Sequence, residues 1–346
     1  MTYRPQSTPQ DWPAIAAHLA DQGLWLDLAE PPPQFAGGLA NLNYLVSVDG
    51  APAVFRRPPG GQLAHGASDM AREARVLAAL APAFRLAPRL LHFCADTGVI
   101  GVPFQILEWR PGIAIGGALP YPLTVADAPS MLAELAAALA SLHALDPAAI
   151  GLADLGRPGG FAERQLRGWS RRAEAAFGTE APPALAPLLA RLAQTLPPDA
   201  PARLLHMDPK FDNLLIDPAT KRATALIDWD MGTLGPPAFD LAVLLSYWIE
   251  PTDPPATHCL EAVPSLVAGW PGRAEVIAAY ARAAGEAPPH LGWHLGLARL
   301  RLATAWMQLY RLWQQGSLSG LRYGGFAPLA AAILAHALDH FGDHAA

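Results

Sequence analysis

The chain has 346 residues, 52% of them hydrophobic and 16% charged, with a formal net charge of -6. That length and apolar content can bury a sizeable core in one large or two modest domains and exclude a disordered chain. The acidic balance argues against a nucleic-acid partner, which would call for a basic stripe.

In chain order, a first helix is predicted from Asp11 to Gly23, with an acidic start and a glycine stop, before the prolines 31 to 33 separate it from the next segment. Asn43 to Val48 and Ala53 to Arg56 are predicted strands around Asp49 and Gly50, a favoured hairpin turn pair, with Gly37 and Gly38 leading in. A helix from about Ala67 to Leu80 comes next, then strands at Arg89 to Phe93 and Pro103 to Leu107, joined through Asp96 to Gly98. Past Gly112 the pattern turns helical. Thr124 and Asp127 form a capping box before an alanine-rich helix that ends near His143.

Two short stretches in the middle carry the chemistry. His206, Asp208 and Asn213 have the H-x-D-x-x-x-x-N spacing of a kinase catalytic loop, and Asp228 ends the apolar run Ala225 to Ile227, where such enzymes place a metal carboxylate. Phosphoryl transfer to a hydroxyl asks the protein mainly for position and charge. Asp208 is the candidate base. Asn213 and Asp228 offer hard oxygen ligands to Mg2+, the expected cofactor, with ATP as phosphoryl donor. The apolar runs Leu214 to Ile216 and Thr224 to Ile227, with a turn at Asp217 and Pro218 between them, predict a hairpin carrying Asn213 and Asp228 toward one end. Of the 24 basic side chains only Lys210 and Lys221 are lysines, so a lysine two places after the candidate base is a second hint, its ammonium suited to the transferring phosphate.

These motifs resemble those of the aminoglycoside phosphotransferase and choline kinase-like superfamily, whose usual pattern is H-G-D-x-x-x-x-N followed by I-D-W and G-x-P-x-x-D-L. Here Met207 replaces the glycine. The resemblance extends to Gly37 through Tyr44, Phe55 through Gly60, Arg72 and Glu73, Ile106 through Trp109, and Arg164, Gln165 and Trp169. The set is most similar to the phosphotransferase domain fused to some acyl-CoA dehydrogenases and to its free-standing bacterial relatives. It implies an α+β, protein-kinase-like fold of two lobes: residues 1–110 as a small lobe with an antiparallel sheet and one main helix, and residues 111–346 as a helical lobe with the catalytic loop at 206–213 and the metal motif at 227–230. Asp208, Asn213 and Asp228 would then converge on one magnesium-nucleotide site.

The resemblance also distributes roles. Gly37, Gly38 and Asn41 would cover the phosphates. Arg56 would replace the lysine that pairs with phosphate and with Glu73, keeping the charge but not the shape of lysine. Glu108 and Trp109 would form the hinge beside adenine, although a buried aromatic at a lobe junction explains Trp109 equally well. His206 and Asp240 would brace the catalytic loop. Asp230, Arg164, Trp169 and Arg301 are candidates for the acceptor pocket, and for Arg164 and Trp169 a plain helix face is the competing reading.

Residues 290–315 contain no Asp or Glu but carry Arg299, Arg301 and Arg311. A cationic acceptor needs carboxylates or an aromatic cage, so a hydroxy acid or a hydroxyacyl-coenzyme A is the favoured hydroxylated small-molecule acceptor. Two alternatives stand: a kinase for another small alcohol, whether aminoglycoside, sugar or amino alcohol, and a nucleotide-binding module with weak or no turnover, suggested by Arg56 and Met207. Trp293, Trp306, Tyr310 and Trp313 are expected in the core. Two cysteines without a framework of disulfides, and a start lacking a basic lead into an apolar stretch, suggest a cytoplasmic protein. No apolar run is expected to reach membrane-spanning length, so no membrane partner is expected. Oligomeric state is left open by the sequence.

Overall fold

The computed structural model describes residues 3–36, 41–59, 69–157, 159–260, 262–318 and 320–342. They divide into two units. The first opens with α1 (Trp12–Asp21), whose N-cap Asp11 accepts the Ala14 N–H at 3.0 Å, while Pro13 has no N–H to leave unpaired in the first turn. Its apolar face, Ile15 and Leu19, packs on the sheet residues Tyr44, Val46, Phe55 and Phe104.

The sheet is built from β1 (Leu26–Asp27), β2 (Leu42–Val48), β3 (Ala51–Arg57), β4 (Leu90–Cys94) and β5 (Phe104–Glu108), all antiparallel, in the order β1-β2-β3-β5-β4. Asp49 and Gly50 both take positive φ, 53° and 77°, as a two-residue hairpin turn demands of its central pair. Along β2 the inward residues Tyr44, Val46 and Val48 alternate with half-exposed ones, so the register that pairs Val48 with Ala51 and Asn43 with Arg56 follows from which face is apolar. Each fully buried side chain of this set stabilises the fold by about 1.5–3 kcal/mol. Between β3 and β4 lies α2 (Met70–Leu80), capped by the Asp69 carboxylate on the Arg72 N–H at 3.0 Å, with Met70, Glu73, Ala74 and Leu77 on its buried side. The expected start near Ala67, like Gly37 and Gly38, lies outside the described residues.

The division expected at 110/111 falls at Ala114/Ile115. Residues Leu214–Gly232, expected with the helical lobe, group with the first unit, as do Ile150–Leu152. The reason is backbone pairing. The hairpin of strands Leu214–Ile216 and Ala223–Leu226 is bonded to residues before it in the chain, through both N–H···O bonds between Ile113 and Ile216 at 2.9 and 3.0 Å and from the Leu226 N–H to the Leu86 carbonyl at 2.8 Å. Gly112 allows this approach: at φ 142° a Cβ there would stand 2.8 Å from Thr224 Oγ1 and 3.0 Å from Leu215 Cβ.

The second unit is helical, with α3 (Ala128–His143), α4 (Phe161–Phe177), α5 (Leu185–Gln194), α6 (Pro237–Tyr247), α7 (Arg273–Ala284), α8 (Leu291–Gln314) and α9 (Phe326–Asp339). A two-stranded ribbon pairs Arg203–Leu205 with Thr233–Gly235. The capping box is present: Asp127 accepts the Thr124 N–H at 2.9 Å. Contrary to expectation, the helical stretch Val125–His143 has the length and composition of a membrane span. It is a core element here, with Met131, Leu135, Leu139 and Leu142 buried and α7 packed along it. The buried centre of the unit is α8, packed by α4, α5, α6 and α9. Its first half is enclosed. Trp293 is buried and donates to the Leu192 carbonyl at 2.9 Å, whereas Trp306, Tyr310 and Trp313, expected in the core, are only half-buried where the helix emerges.

Candidate active site

In the second unit, residues 206–213 form a loop after the strand Arg203–Leu205. Asp240 holds its start. This carboxylate, fully buried in the first turn of α6, accepts the His206 N–H at 2.7 Å through Oδ2 and the Met207 N–H at 2.8 Å through Oδ1. His143 on α3 also reaches Oδ2, at 3.2 Å, and is itself bonded to the Tyr280 hydroxyl at 2.8 Å. The buried His206 ring takes the Asp208 N–H on Nδ1 at 3.3 Å. Gly235, on the strand paired with Arg203–Leu205, makes room for the Phe161 ring, since a Cβ there would lie 2.5 Å from it.

Met207 sits where the related pattern has glycine, at φ 74°. Its left-handed backbone costs a residue with a Cβ about 1–2 kcal/mol, yet its side chain is buried, which contributes about 1.5–3 kcal/mol. Burial wins. Met207→Gly is therefore expected to lower the melting temperature, and a rise in a calorimetric scan would show that strain dominates instead.

Asp208 is held on one side only. Its Oδ2 accepts Lys210 Nζ at 2.7 Å and Asn213 Nδ2 at 3.1 Å, and its carbonyl accepts Asn213 Nδ2 at 2.9 Å. Oδ1 has no hydrogen-bond partner among the described residues. The Asn213 amide, turned this way, keeps its oxygen uncommitted among the described residues. Lys210 also meets Asp212 Oδ1 at 2.9 Å and lies 5.7 Å from the centre of the Tyr247 ring. Burial alone would lower its pKa, but Asp208 and Asp212 outweigh that and the net shift is upward. Lys210 is thus a permanent cation committed to two carboxylates. Asp212, Tyr247, His143 and Tyr280 were not singled out by sequence reasoning. Asp212, beside Asn213 in the motif, was the one with a local signal.

In the first unit Arg56 and Glu73 form a buried pair. Arg56 Nε donates to Glu73 Oε2 at 2.9 Å, one terminal nitrogen reaches Asn43 Oδ1 at 3.3 Å, and the other is bonded to Asp228 Oδ1. Glu73 additionally accepts Gln105 Nε2 at 2.7 Å and the Trp229 N–H at 3.2 Å. Burial opposes the charge on Arg56, but Glu73, Asp228 and Asp230 outweigh it and raise its pKa. Burial pushes the Glu73 carboxyl up, and Arg56 opposes that shift. Asp228 has φ 72° and a one-third exposed side chain. Asp230, a candidate for the acceptor pocket, belongs to this acidic group: it accepts Asn41 Nδ2 at 3.4 Å, while the buried Asn41 Oδ1 has no partner among the described residues. Arg72 fixes the turn after Asp228 by donating to the Gly232 carbonyl at 2.9 Å.

Among the described residues no three His, Cys, Asp or Glu side chains gather as an all-protein metal cage would require. Magnesium does not need one. It takes one or two carboxylates and fills its octahedron with phosphate and water oxygens, and Asp228 beside Asp230 and the orphaned Asn41 oxygen is a donor set of that kind.

The side chains of Glu108, Arg164 and Trp169 are bonded to groups of the protein itself. The Glu108 carboxylate accepts the Arg89 N–H at 3.1 Å and pairs with Arg110 Nε at 3.0 Å, while Trp109 keeps a buried indole N–H without a partner among the described residues. Arg164 turns onto the carbonyls of Arg157 and Gly159. Trp169 bonds Gln165 at 3.1 Å and carries the Arg172 guanidinium over its ring at 4.7 Å, so these contacts run along α4 itself. Arg301 is buried on α8.

A model of the phosphotransferase enzyme family matches residues 33–302. Acyl-CoA dehydrogenase family member 10 of Mus musculus is 31% identical over 222 residues, covering 64% of this chain and 21% of that protein. Acyl-CoA dehydrogenase family member 11 of Gallus gallus is 32% identical over 220 residues, covering 63% and 28%. The chain thus spans a minor part of the curated relatives it matches. Among solved structures, a protein of Ralstonia eutropha JMP134 assigned as an aminoglycoside phosphotransferase is 25% identical with a TM-score of 0.78, covering 97% of this chain and 99% of that one. A thermostable mutant of aminoglycoside phosphotransferase APH(4)-Ia, in a complex with ADP and hygromycin B, shares the fold at 16% identity and a TM-score of 0.60, covering 94% and 98%. The α+β, kinase-like fold is common to this chain and these solved structures.

Proposed function

The chain belongs to the phosphotransferase enzyme family, and on that footing we propose that it moves the γ-phosphoryl group of magnesium-ATP to a hydroxyl of a small molecule, with a hydroxy acid or hydroxyacyl-coenzyme A as favoured acceptor. The observation that carries this is the one-sided hold on Asp208: Oδ2 is fixed by Lys210 and Asn213 and Oδ1 is left to accept a proton.

The hydroxyl proton passes to Asp208 Oδ1 as the acceptor oxygen bonds to phosphorus and the bond to ADP breaks. Lys210 keeps the carboxylate aimed. Arg56, locked by Glu73, supplies a fixed cation for phosphate oxygens. Asp228, with Asp230 and Asn41 beside it, would hold magnesium, and Asn213 offers a further amide oxygen. When bound, the ion neutralises the phosphates and steadies the leaving group.

Asp228→Ala is expected to weaken magnesium-dependent ATP binding by about tenfold or more, and an unaltered magnesium titration of nucleotide affinity would contradict that role. For the acceptor, the carboxylate-free stretch 290–315 disfavours cations, and relatives named acyl-CoA dehydrogenases make acyl chains a natural choice. ADP release measured across hydroxy acids, their coenzyme A esters, sugars, amino alcohols and aminoglycosides tests it. The highest kcat/KM should fall among the first two groups. An aminoglycoside or amino alcohol heading the series would overturn the acceptor class.

A further inference from the structure

Gly168 stands in the middle of α4 without a packing reason. Glycine is the least favourable residue in a helix interior after proline, and a helix keeps one where a neighbour needs the room or a ligand approaches. Gly296 in α8 is of the first kind, since a Cβ there would stand 2.9 Å from the Phe341 ring. At Gly168 a Cβ would meet nothing within 4 Å. What surrounds it is charge: Arg164 lies one turn before it, Arg171 and Arg172 one turn after, and Arg167 directly precedes it.

The arginines differ in what holds them. Arg164 is turned back onto the Arg157 and Gly159 carbonyls. Arg172 is held over the Trp169 ring, 4.7 Å from its centre, which fixes a guanidinium beside the glycine without using its N–H groups. Arg167 faces Glu163 at 3.7 Å with both side chains exposed, a pair that water screens. Arg171 is exposed as well. Residues 164–172 thus hold four arginines and no acid in a chain of net charge -6, and they span about 12 Å of helix between Glu163 and Glu174. A basic face so short and so bounded matches the phosphates of one nucleotide, whereas a duplex or an anionic bilayer calls for a longer one.

We propose that the notch at Gly168 is the docking site for the phosphorylated adenosine end of a coenzyme A thioester, its phosphate oxygens accepting N–H groups of Arg167, Arg171 and Arg172. The inference rests on the hydroxyacyl-coenzyme A reading of the acceptor and deepens it by naming where the coenzyme is held. Helix α4 and the catalytic loop belong to the same unit, and Phe161 at the start of α4 lies edge-on to Phe239, the neighbour of the Asp240 that holds that loop. The pantetheine arm separates the coenzyme's phosphates from its thioester, so they can dock on α4 while the acyl hydroxyl is presented to Asp208. The three arginines are specificity determinants, since none of them exchanges a proton in the reaction.

The test measures calorimetric binding of coenzyme A, dephospho-coenzyme A and adenosine 3′,5′-bisphosphate to wild type, to the double variant Arg171→Gln/Arg172→Gln, to Arg171→Lys/Arg172→Lys and to Gly168→Leu, with melting temperature as the check on folding. The glutamine pair should raise Kd for coenzyme A roughly tenfold or more, and the lysine pair should recover part of the loss. Gly168→Leu should raise the melting temperature, because leucine favours the helix and its Cβ meets nothing, and still weaken coenzyme A binding by filling the notch. Dephospho-coenzyme A binding more weakly than coenzyme A assigns the 3′-phosphate to the arginines, and equal affinities that both fall in the glutamine pair assign the diphosphate. Coenzyme A affinity that is the same in all four folded proteins overturns the site, as does binding to heparin or anionic vesicles, but not to coenzyme A, that the glutamine pair abolishes. Turnover of hydroxybutyryl-coenzyme A isomers beside the matching pantetheine thioesters separates this site from the acceptor reading. The advantage of the coenzyme A thioester in kcat/KM should fall roughly tenfold or more in the glutamine pair. An unchanged advantage would overturn the site and leave hydroxyacyl-coenzyme A as acceptor. Coenzyme A binding that is lost in the glutamine pair, in an enzyme that phosphorylates none of these thioesters, would support the site and overturn the acceptor reading.

Discussion

Asp208→Asn is expected to bind Mg-ATP as the wild type does and to lose about 10²–10⁴-fold in turnover. The substitution preserves shape and an oxygen that Lys210 can still approach, but removes the lone pair and charge that make Oδ1 a base. The loop should survive it. Asp240 fixes the His206 and Met207 N–H groups at 2.7 and 2.8 Å, and Lys210 retains Asp212 at 2.9 Å, so the loss should appear in kcat with KM for ATP nearly constant. Single-turnover measurements separate chemistry from product release. Unchanged turnover in a correctly folded Asp208→Asn enzyme would refute the assignment of the base.

Arg56→Met should have the largest effect on stability, a loss of about 3–5 kcal/mol. Glu73 is 1% exposed and its carboxylate is held by Arg56, Gln105 and the Trp229 N–H. Removing the guanidinium leaves a buried carboxylate with two neutral donors and Asp228 nearby as a like charge. That carboxyl must take up a proton or draw in water, and either costs free energy that the native pair does not. Arg56→Lys should cost less, because charge is kept while the bonds from separate nitrogens to Glu73, Asn43 and Asp228 cannot all be made by one ammonium. Chemical denaturation of the three proteins measures the order. Equal midpoints for wild type and Arg56→Met would mean that this pair contributes nothing to the fold.

The chemistry was legible in the sequence where covalent spacing fixes geometry. His206, Asp208 and Asn213 lie on one short loop, and their mutual bonds follow from the few peptide units between them. Likewise Asp49 and Gly50 specify their turn, and Thr124 with Asp127 specifies a helix start, because the interacting groups are within four residues of each other. What was not legible is long-range. The bonds of Ile113 to Ile216 and of Leu86 to Leu226 move a hairpin into the first unit, and no local pattern records a pairing across a hundred residues. Tyr247 and Tyr280 were missed for the same reason, their partners Lys210 and His143 being distant in the chain. Asp230, in the turn beyond the strand that ends at Leu226, meets Asn41, a contact that its place in the sequence does not tell. Arg164 bonds carbonyls in the preceding loop, which helical spacing does not anticipate. Val125 to His143 satisfied the composition of a membrane span because a helix with a broad face buried by protein needs many of the same residues as one buried by lipid.

The central claim is that this chain transfers phosphoryl groups through Asp208, and phosphorus-31 NMR of Mg-ATP incubated with the hydroxy acids and their coenzyme A esters tests it most directly. The expected spectrum gains one phosphomonoester resonance with an equal amount of ADP, in wild type and not in Asp208→Asn. Mg-ATP that binds and stabilises the protein while no phosphomonoester forms with any of these compounds or with the sugars, amino alcohols and aminoglycosides would contradict it.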